Sequence, residues 1–329
     1  MGHIGEVMSL RAKPLCLSAV IILMLIVCSI ELRAQTPSNT SSPQKEIAIT
    51  IDDLPLNGPR IPLERLRAMT DKLLAGIKRY QIPVVGFVNE SLLYVPGEVE
   101  ARIALLKEWV EAGAELGNHT FSHLGFRNAS LADYEDDFIR GESITQMLMK
   151  QKGLKLRYFR HPFLQMGATQ ELEKSFESFI AERGYRIAPV TIDTMDWMIL
   201  AAYSKARAAG DTEMMKRVAD EYLKFAGQKF DFNEKVTDEL FGHPIRHILL
   251  LHVNELNADN FDALIKVMTD RGYRFITLDE ALKDPIYQYP EKYLATSDWL
   301  GLWSFNKGKK FNAPVPPEFI QKIYNDGQK

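Results

Sequence analysis

The chain has 329 residues, 46% hydrophobic and 25% charged, with a formal net charge of −3. That is the composition of an ordinary globular protein with ample material for a core. The charge balance gives no basic excess that would point to nucleic acid or to an anionic membrane surface.

Arg11 and Lys13 precede an apolar run over residues 15–30, and Leu32-Arg33-Ala34 offers a small residue before Gln35. This is the layout of a secretory signal peptide over residues 1–34. The run, about 16 residues, falls short of the roughly 20 that a spanning helix needs, which favours export over an uncleaved anchor. A periplasmic or extracellular location follows, with N-terminal membrane anchoring as the alternative. Both cysteines, Cys16 and Cys28, lie in this leader. With the leader removed, disulfides, thiolate metal sites and cysteine nucleophiles drop out together. Residues 35–45, rich in Ser, Thr, Asn, Pro and Gln, read as a flexible linker.

From residue 46 strand and helix patterns alternate. Strands are predicted at 47–51, 84–88, 114–117, 156–159, 186–192, 248–251 and 274–278. Helices are predicted at 62–80, 98–112, 131–152, 169–183 and 259–270, several stopped by a glycine. Residues 198–246 are too long for one crossover and read as a helical insertion, with helices at 201–207, 211–225 and 230–241. Residues 284–329, rich in Pro, Tyr and Trp, read as a tail wrapping the surface. Seven strands alternating with helices argue for an α/β protein with a parallel sheet. Periodicity alone does not separate a closed barrel from an open, doubly wound sheet.

Five segments carry polar residues, mostly at the ends of those strands. The first strand ends in Asp52-Asp53, where one carboxylate can bind a metal and the other can take a proton; such a pair also caps turns. His119 and His123 are four apart, the spacing that puts two imidazoles on one face of a helical turn to share an ion; a surface pair is the alternative. Zinc is the default for such ligands, with cobalt, nickel and iron also suited. Arg160 ends the fourth strand and can pair with Asp52. His252 follows the most apolar strand and can protonate a leaving amine, with Asp196 to orient it and raise its pKa. Phe163 and Trp197 can wall a pocket and stack on a sugar ring, or belong to the core. Asn254 and Asn257 read as substrate contacts or as caps of the helix near Asp259.

In this order the segments resemble the motifs of the polysaccharide deacetylases of carbohydrate esterase family four, the NodB homology domain. Thr50-Ile51-Asp52-Asp53 is similar to the first motif, with Ile51 where Phe is usual. His119-Thr120-Phe121-Ser122-His123 is similar to the second, Arg160-His161-Pro162-Phe163 to the third, Asp193-Thr194-Met195-Asp196-Trp197 to the fourth and Leu250-Leu251-His252 to the fifth. The resemblance covers residues 46–283 apart from 198–246. It implies a distorted (β/α)7 barrel, from which the helical insertion between strands five and six is a departure. It further implies Asp52 as general base, Asp53, His119 and His123 as metal ligands, His252 as general acid tuned by Asp196, and Arg160 as the residue orienting Asp52.

The expected activity is metal-dependent hydrolysis of an N-acetyl group on an amino sugar. The expected partner is an acetylated glycan, an oligosaccharide or a small N-acyl compound, with no nucleic acid and no obligate protein partner. An O-acetyl esterase or small-amide hydrolase using the same residues is a second reading, and a non-catalytic carbohydrate-binding protein a third. The insertion is placed to roof the groove, which argues against a long polymer.

Overall fold

The computed structural model describes residues 44–288, 292–294 and 298–328. The expected leader, 1–34, and the linker up to residue 43 lie outside the described residues. From Gln44 onward the chain forms one compact unit.

Strand β1, Lys45–Leu54, is the centre of the sheet, and its β-branched run 47–51 is buried throughout. A strand covered on both faces reads as a continuous apolar run. Around it stand β2 (Val84–Val88), β3 (Glu115–Asn118), β4 (Tyr158–Phe159), β5 (Arg186–Ile187), β6 (Ile192–Asp193), β7 (Arg246–His252) and β8 (Tyr273–Phe275). The order is β5-β4-β3-β2-β1-β7-β6, with β8 on the start of β1, and every pair is parallel.

The edge strands β5 and β6 are consecutive in sequence, so residues 188–191 cross alone from one edge of the sheet to the other. The Ala188 amide bonds the Phe159 carbonyl at 2.7 Å on one edge, and the Thr191 amide bonds the Ile248 carbonyl at 3.0 Å on the other. Five residue steps reach at most about 18 Å, so the sheet has to curl until its edges nearly meet. The result is a curled, all-parallel half-barrel wrapped by helices. The single strand expected over 186–192 is therefore two short ones. Pro189 lies between them, with no amide hydrogen to continue a ladder.

The helices are α1 (Leu63–Tyr80), α2 (Val99–Glu111), α3 (Leu131–Arg140), α4 (Ser143–Gln151), α5 (Gln170–Glu182), α6 (Asp196–Ala208), α7 (Thr212–Phe241), α8 (Glu255–Thr269), α9 (Leu278–Ala281), α10 (Trp299–Asn306) and α11 (Glu318–Gly327). The face of α1 bearing Leu66, Met69, Leu73 and Ile77 is buried, and α1 packs on α8. Each such side chain contributes about 1.5–3 kcal/mol by leaving water.

Three helical expectations differ from the structure. The helix expected over 131–152 breaks at Gly141, where a Cβ would stand 2.6 Å from the Thr120 backbone. Only glycine lets the helix pair approach that loop. Residues 211–225 and 230–241 are one continuous helix, α7, because Gly227 is packed under the Arg271 guanidinium and does not stop it. The helix expected from 259 starts at Glu255, capped by Asn254, whose side chain accepts the Asn257 amide. The tail 284–329 carries α10 and α11, and α11 packs on α6.

Candidate active site

The C-terminal ends of the strands gather the site. Between Ile51, paired with Gly86, and Leu54, paired with Val88, β1 holds one residue more than β2. This is a β-bulge, and Asp53 takes up the extra length at φ 64°. In a regular strand Asp52 and Asp53 would point to opposite faces. The bulge turns both inward. The Asn57 side-chain amide donates to Asp53 Oδ2 at 2.7 Å.

His119 and His123 do not sit on a helical turn as their spacing suggests. They lie on an irregular loop after β3, with Thr120 at φ 61° and His123 at φ 60°. Buried polar residues that sequence reasoning missed hold this loop. The Asn89 side chain donates through Nδ2 to the His119 carbonyl at 2.5 Å, Asn118 Oδ1 accepts the Thr120 amide at 2.7 Å, and Asp137 Oδ2 accepts from the Ser122 amide and hydroxyl at 3.0 and 3.1 Å. The loop still brings the imidazoles together, with ring centroids 4.9 Å apart. Nε2 of His119 and of His123 lie 3.5 and 3.4 Å from Asp53 Oδ1.

Asp52 lies beside this cluster, its Oδ2 3.6 Å from His119 Nε2. Arg160, fully buried, donates to Asp52 Oδ1 at 3.0 Å, to Thr50 at 2.8 Å and to the Ala188 carbonyl at 3.0 Å. Opposite it, His252 Nδ1–H donates to Asp196 Oδ1 at 2.8 Å. Asp196 Oδ2 accepts the His252 amide at 2.8 Å, the Asn254 side chain at 3.1 Å and the Asn257 side chain. Tyr222 of α7 donates in turn to Asn257 Oδ1 at 2.6 Å. Asn254, expected to touch substrate, is instead fully buried in this network and caps α8. The signal for that role was present, since an Asn just before an apolar-periodic stretch is an N-cap pattern.

These groups open into a cavity of about 420 Å³. Phe163 stands on the His123 side, its ring 4.3 Å from the imidazole and 60% exposed. Trp197 stands on the His252 side, edge-on to Tyr324 of α11 at 5.5 Å. Tyr324 lines the cavity although it lies about 70 residues beyond the last motif; no local pattern marks it.

Burial pushes the Asp52 carboxyl up to about 6 against the pull of Arg160 and His252. Asp53 is held below the usual carboxylate range: burial opposes its charge, but His123, His252, His119 and the Asn57 hydrogen bond outweigh it. Burial, reinforced by His123, drives His119 down to about 3. Burial alone would lower His252 too, but the Asp196 charge and hydrogen bond, with Asp53 and Asp52, lift it to about 10.

The Asp53, His119 and His123 set fits a cation on the structure's own terms. His119 Nδ1 bonds the Arg160 carbonyl at 2.8 Å, and a carbonyl only accepts, so the hydrogen is on Nδ1. Nε2 then aims a lone pair at Asp53 Oδ1, which is buried without a hydrogen-bonding partner. One ligand atom from each of the three residues lies within 4.8 Å of the others. A bare His119 Nε2 and a charged, unpartnered carboxylate oxygen, with His123 Nε2 beside them, suit a shared positive ion.

Residues 39–177 match the family model described as polysaccharide deacetylase. Over 238 residues the chain is 26% identical to the peptidoglycan-N-acetylmuramic acid deacetylase PdaC of Bacillus subtilis, covering 72% of this chain and 38% of that protein. Over 158 residues it is 25% identical to a peptidoglycan-N-acetylglucosamine deacetylase of Bacillus cereus, covering 48% of each. The matched region thus spans less than half the length of these two relatives. Among solved structures, a CE4 family pseudoenzyme from Bacillus anthracis has a TM-score of 0.50 at 20% identity, covering 73% of this chain and 66% of that one. A mutant pseudoenzyme of that family with restored enzymatic activity has a TM-score of 0.51 at 20% identity, covering 73% and 68%. These two likenesses are of fold. The family-model match takes in the first two motifs and the third, so it is over residues 39–177 that the chain has the sequence of a polysaccharide deacetylase domain.

Proposed function

We propose that this chain is an exported, metal-dependent deacetylase that hydrolyses the N-acetyl group of an amino sugar. The observation that carries the reading is the convergence of Asp53, His119 and His123 on one point, flanked by a buried carboxylate, Asp52, and an imidazole, His252. A divalent cation held by those three residues would polarise the acyl oxygen and lower the pKa of a water from about 16 towards about 7. Zinc is the default, with cobalt, nickel or iron as alternatives.

The chain's own residues supply the proton traffic. Arg160 fixes Asp52 so that Oδ2 faces the cavity, where it accepts the proton of the attacking water. His252 is held with Nδ1–H on Asp196, which leaves Nε2–H free to protonate the departing nitrogen. The products are acetate and a free amine. Phe163 on one side and Trp197 with Tyr324 on the other offer apolar faces to a pyranose ring. Peptidoglycan is the first substrate to test because two relatives are named for it. Chitin oligosaccharides and small N-acyl compounds follow.

The deciding experiment is acetate release from a panel of N-acetylated saccharides, with and without a chelator, on purified protein of known metal content. Chelator-sensitive release supports the reading. Stoichiometric zinc with no release from any member would favour a carbohydrate-binding role, and release confined to O-acetyl esters would favour an esterase.

A further inference from the structure

A second cavity, of about 570 Å³, lies between α7 and the segment running from α10 to residue 313. It shares no lining residue with the catalytic cavity. Lys229, Asn233 and Val236 face it from α7, at the spacing that places side chains on one side of a helix. Lys229 is only 7% exposed and Asn233 only 1%.

Neither polar group is satisfied. Among the described residues Lys229 makes no hydrogen bond and no ion pair, and Asn233 Nδ2 has no partner. The acidic groups nearby are otherwise engaged. Asp193 feels the Lys229 charge through space but accepts the Met195 amide at 2.7 Å and faces the catalytic cavity. Asp298 Oδ1 accepts the Gly301 amide at 2.7 Å and caps α10. Glu239 pairs with Lys309 at 3.0 Å. Lys229 thus reaches the cavity without a direct ion pair, and an anion entering there would meet a charge that Asp193 and Asp298 do not pair with directly. Lys310 adds an exposed cation at the edge, Phe232, Leu300, Phe305 and Phe311 form an apolar wall, and Asp298, Ser304 and Asn312 are polar parts of the lining.

We propose that this cavity is a binding site for an amphipathic anion, a carboxylate on an apolar stem. The carboxylate sits between Lys229 Nζ and Asn233 Nδ2, and the stem lies along the phenylalanines. The site stands apart from the hydrolytic centre and does not depend on what that centre cleaves.

The test uses sodium octanoate, with octanamide as the uncharged probe of the same stem, on the full chain. Calorimetric titration and thermal unfolding are read for wild type, Lys229→Met and Lys229→Gln. Octanoate should bind the wild type one to one and raise its melting temperature. Octanamide should bind at least about tenfold more weakly, the size expected when a charged hydrogen-bonding pair is lost. Both variants should lose the preference for octanoate. Without ligand, Lys229→Met should melt close to the wild type, because no direct ion pair is lost. Equal binding of the two probes, or no binding of octanoate, overturns the proposal. So does a Lys229→Met protein that melts well below wild type while Lys229→Gln keeps an unchanged response to octanoate. That pattern would make Lys229 a structural partner of Asp193.

Discussion

Asp52 and His252 are direct register partners across the β1–β7 pair. Partners in a parallel pair project to the same face of the sheet. The two residues proposed to take and give the proton are therefore set against each other by the backbone, before any side chain is oriented. Arg160 and Asp196 then fix the two side chains from opposite sides.

Asp52 and the cation ligands are separable. Asp52→Asn should keep stoichiometric zinc but lose on the order of 10²–10⁴ in turnover, the usual size of a general-base contribution. His119→Ala should lose zinc and turnover together. Metal analysis beside acetate release checks both, and an Asp52→Asn protein at near wild-type rate rules out the base assignment.

The pH profile follows from opposite requirements. Asp52 works as a base only when ionised, so activity should rise with pH through about 6. His252 works as an acid only when protonated, so activity should fall as pH passes about 10. A cation at Asp53 lowers both pKa values, so the two limbs of kcat/KM should lie at or below those positions. Asp196→Asn should draw the alkaline limb down further; a limb unmoved in that variant separates His252 from it.

Tyr222→Phe tests the network behind Asp196. The Tyr222 hydroxyl donates to Asn257 Oδ1, completing an amide whose NH₂ donates to Asp196 and to the His252 carbonyl. Without that donor Asn257 Oδ1 loses its partner, and the amide that donates to Asp196 and to the His252 carbonyl is held less firmly. We expect kcat to fall by about tenfold, one lost buried hydrogen bond, with KM unchanged and the alkaline limb shifted to lower pH. Kinetics across pH, with circular dichroism to confirm the fold, decide it. A profile identical to wild type removes Tyr222 from the mechanism.

Tyr324→Ala removes one wall of the cavity while leaving the proposed acid, base and cation ligands in place. KM for an N-acetylated saccharide should rise by about tenfold, the scale of one aromatic contact, with kcat little changed. Tyr324→Phe should keep most of the affinity. A fall in kcat with KM constant would place Tyr324 outside substrate binding.

Gly141→Ala should destabilise the protein by about 1–3 kcal/mol, because the new methyl meets the Thr120 backbone at 2.6 Å. The displaced loop carries His119 and His123, so zinc affinity should fall in the same variant. Urea unfolding and metal titration measure the two effects.

Much of this was legible in the sequence because it rests on local signals. The β-branched run before Asp52, the apolar run before His252 and the four-residue spacing of His119 and His123 each announce themselves within a few residues. What escaped depends on distant partners. The bulge at Asp53 appears only against β2, and the non-helical histidine loop only against Asn89, Asn118 and Asp137. Gly141 and Gly227 look alike as helix breakers, yet one ends a helix and the other is packed under Arg271. Asn254 offered two roles, and the burial of its side chain against Asp196 selects the cap. The role of Tyr324 rests on the docking of α11 against α6, which no local pattern encodes.

Asp53, Thr120, His123, Phe163, Leu164 and Met195 all adopt left-handed backbone angles without being glycine, and all lie in or beside the motifs. Each such residue weighs against the native state by about 1–3 kcal/mol. Among the described residues the mouth of the proposed site is thus the least relaxed part, held in shape by the well-packed strands beneath it. A lineage selected only for heat resistance would be expected to release this tension first, and in doing so to let the converging groups drift apart.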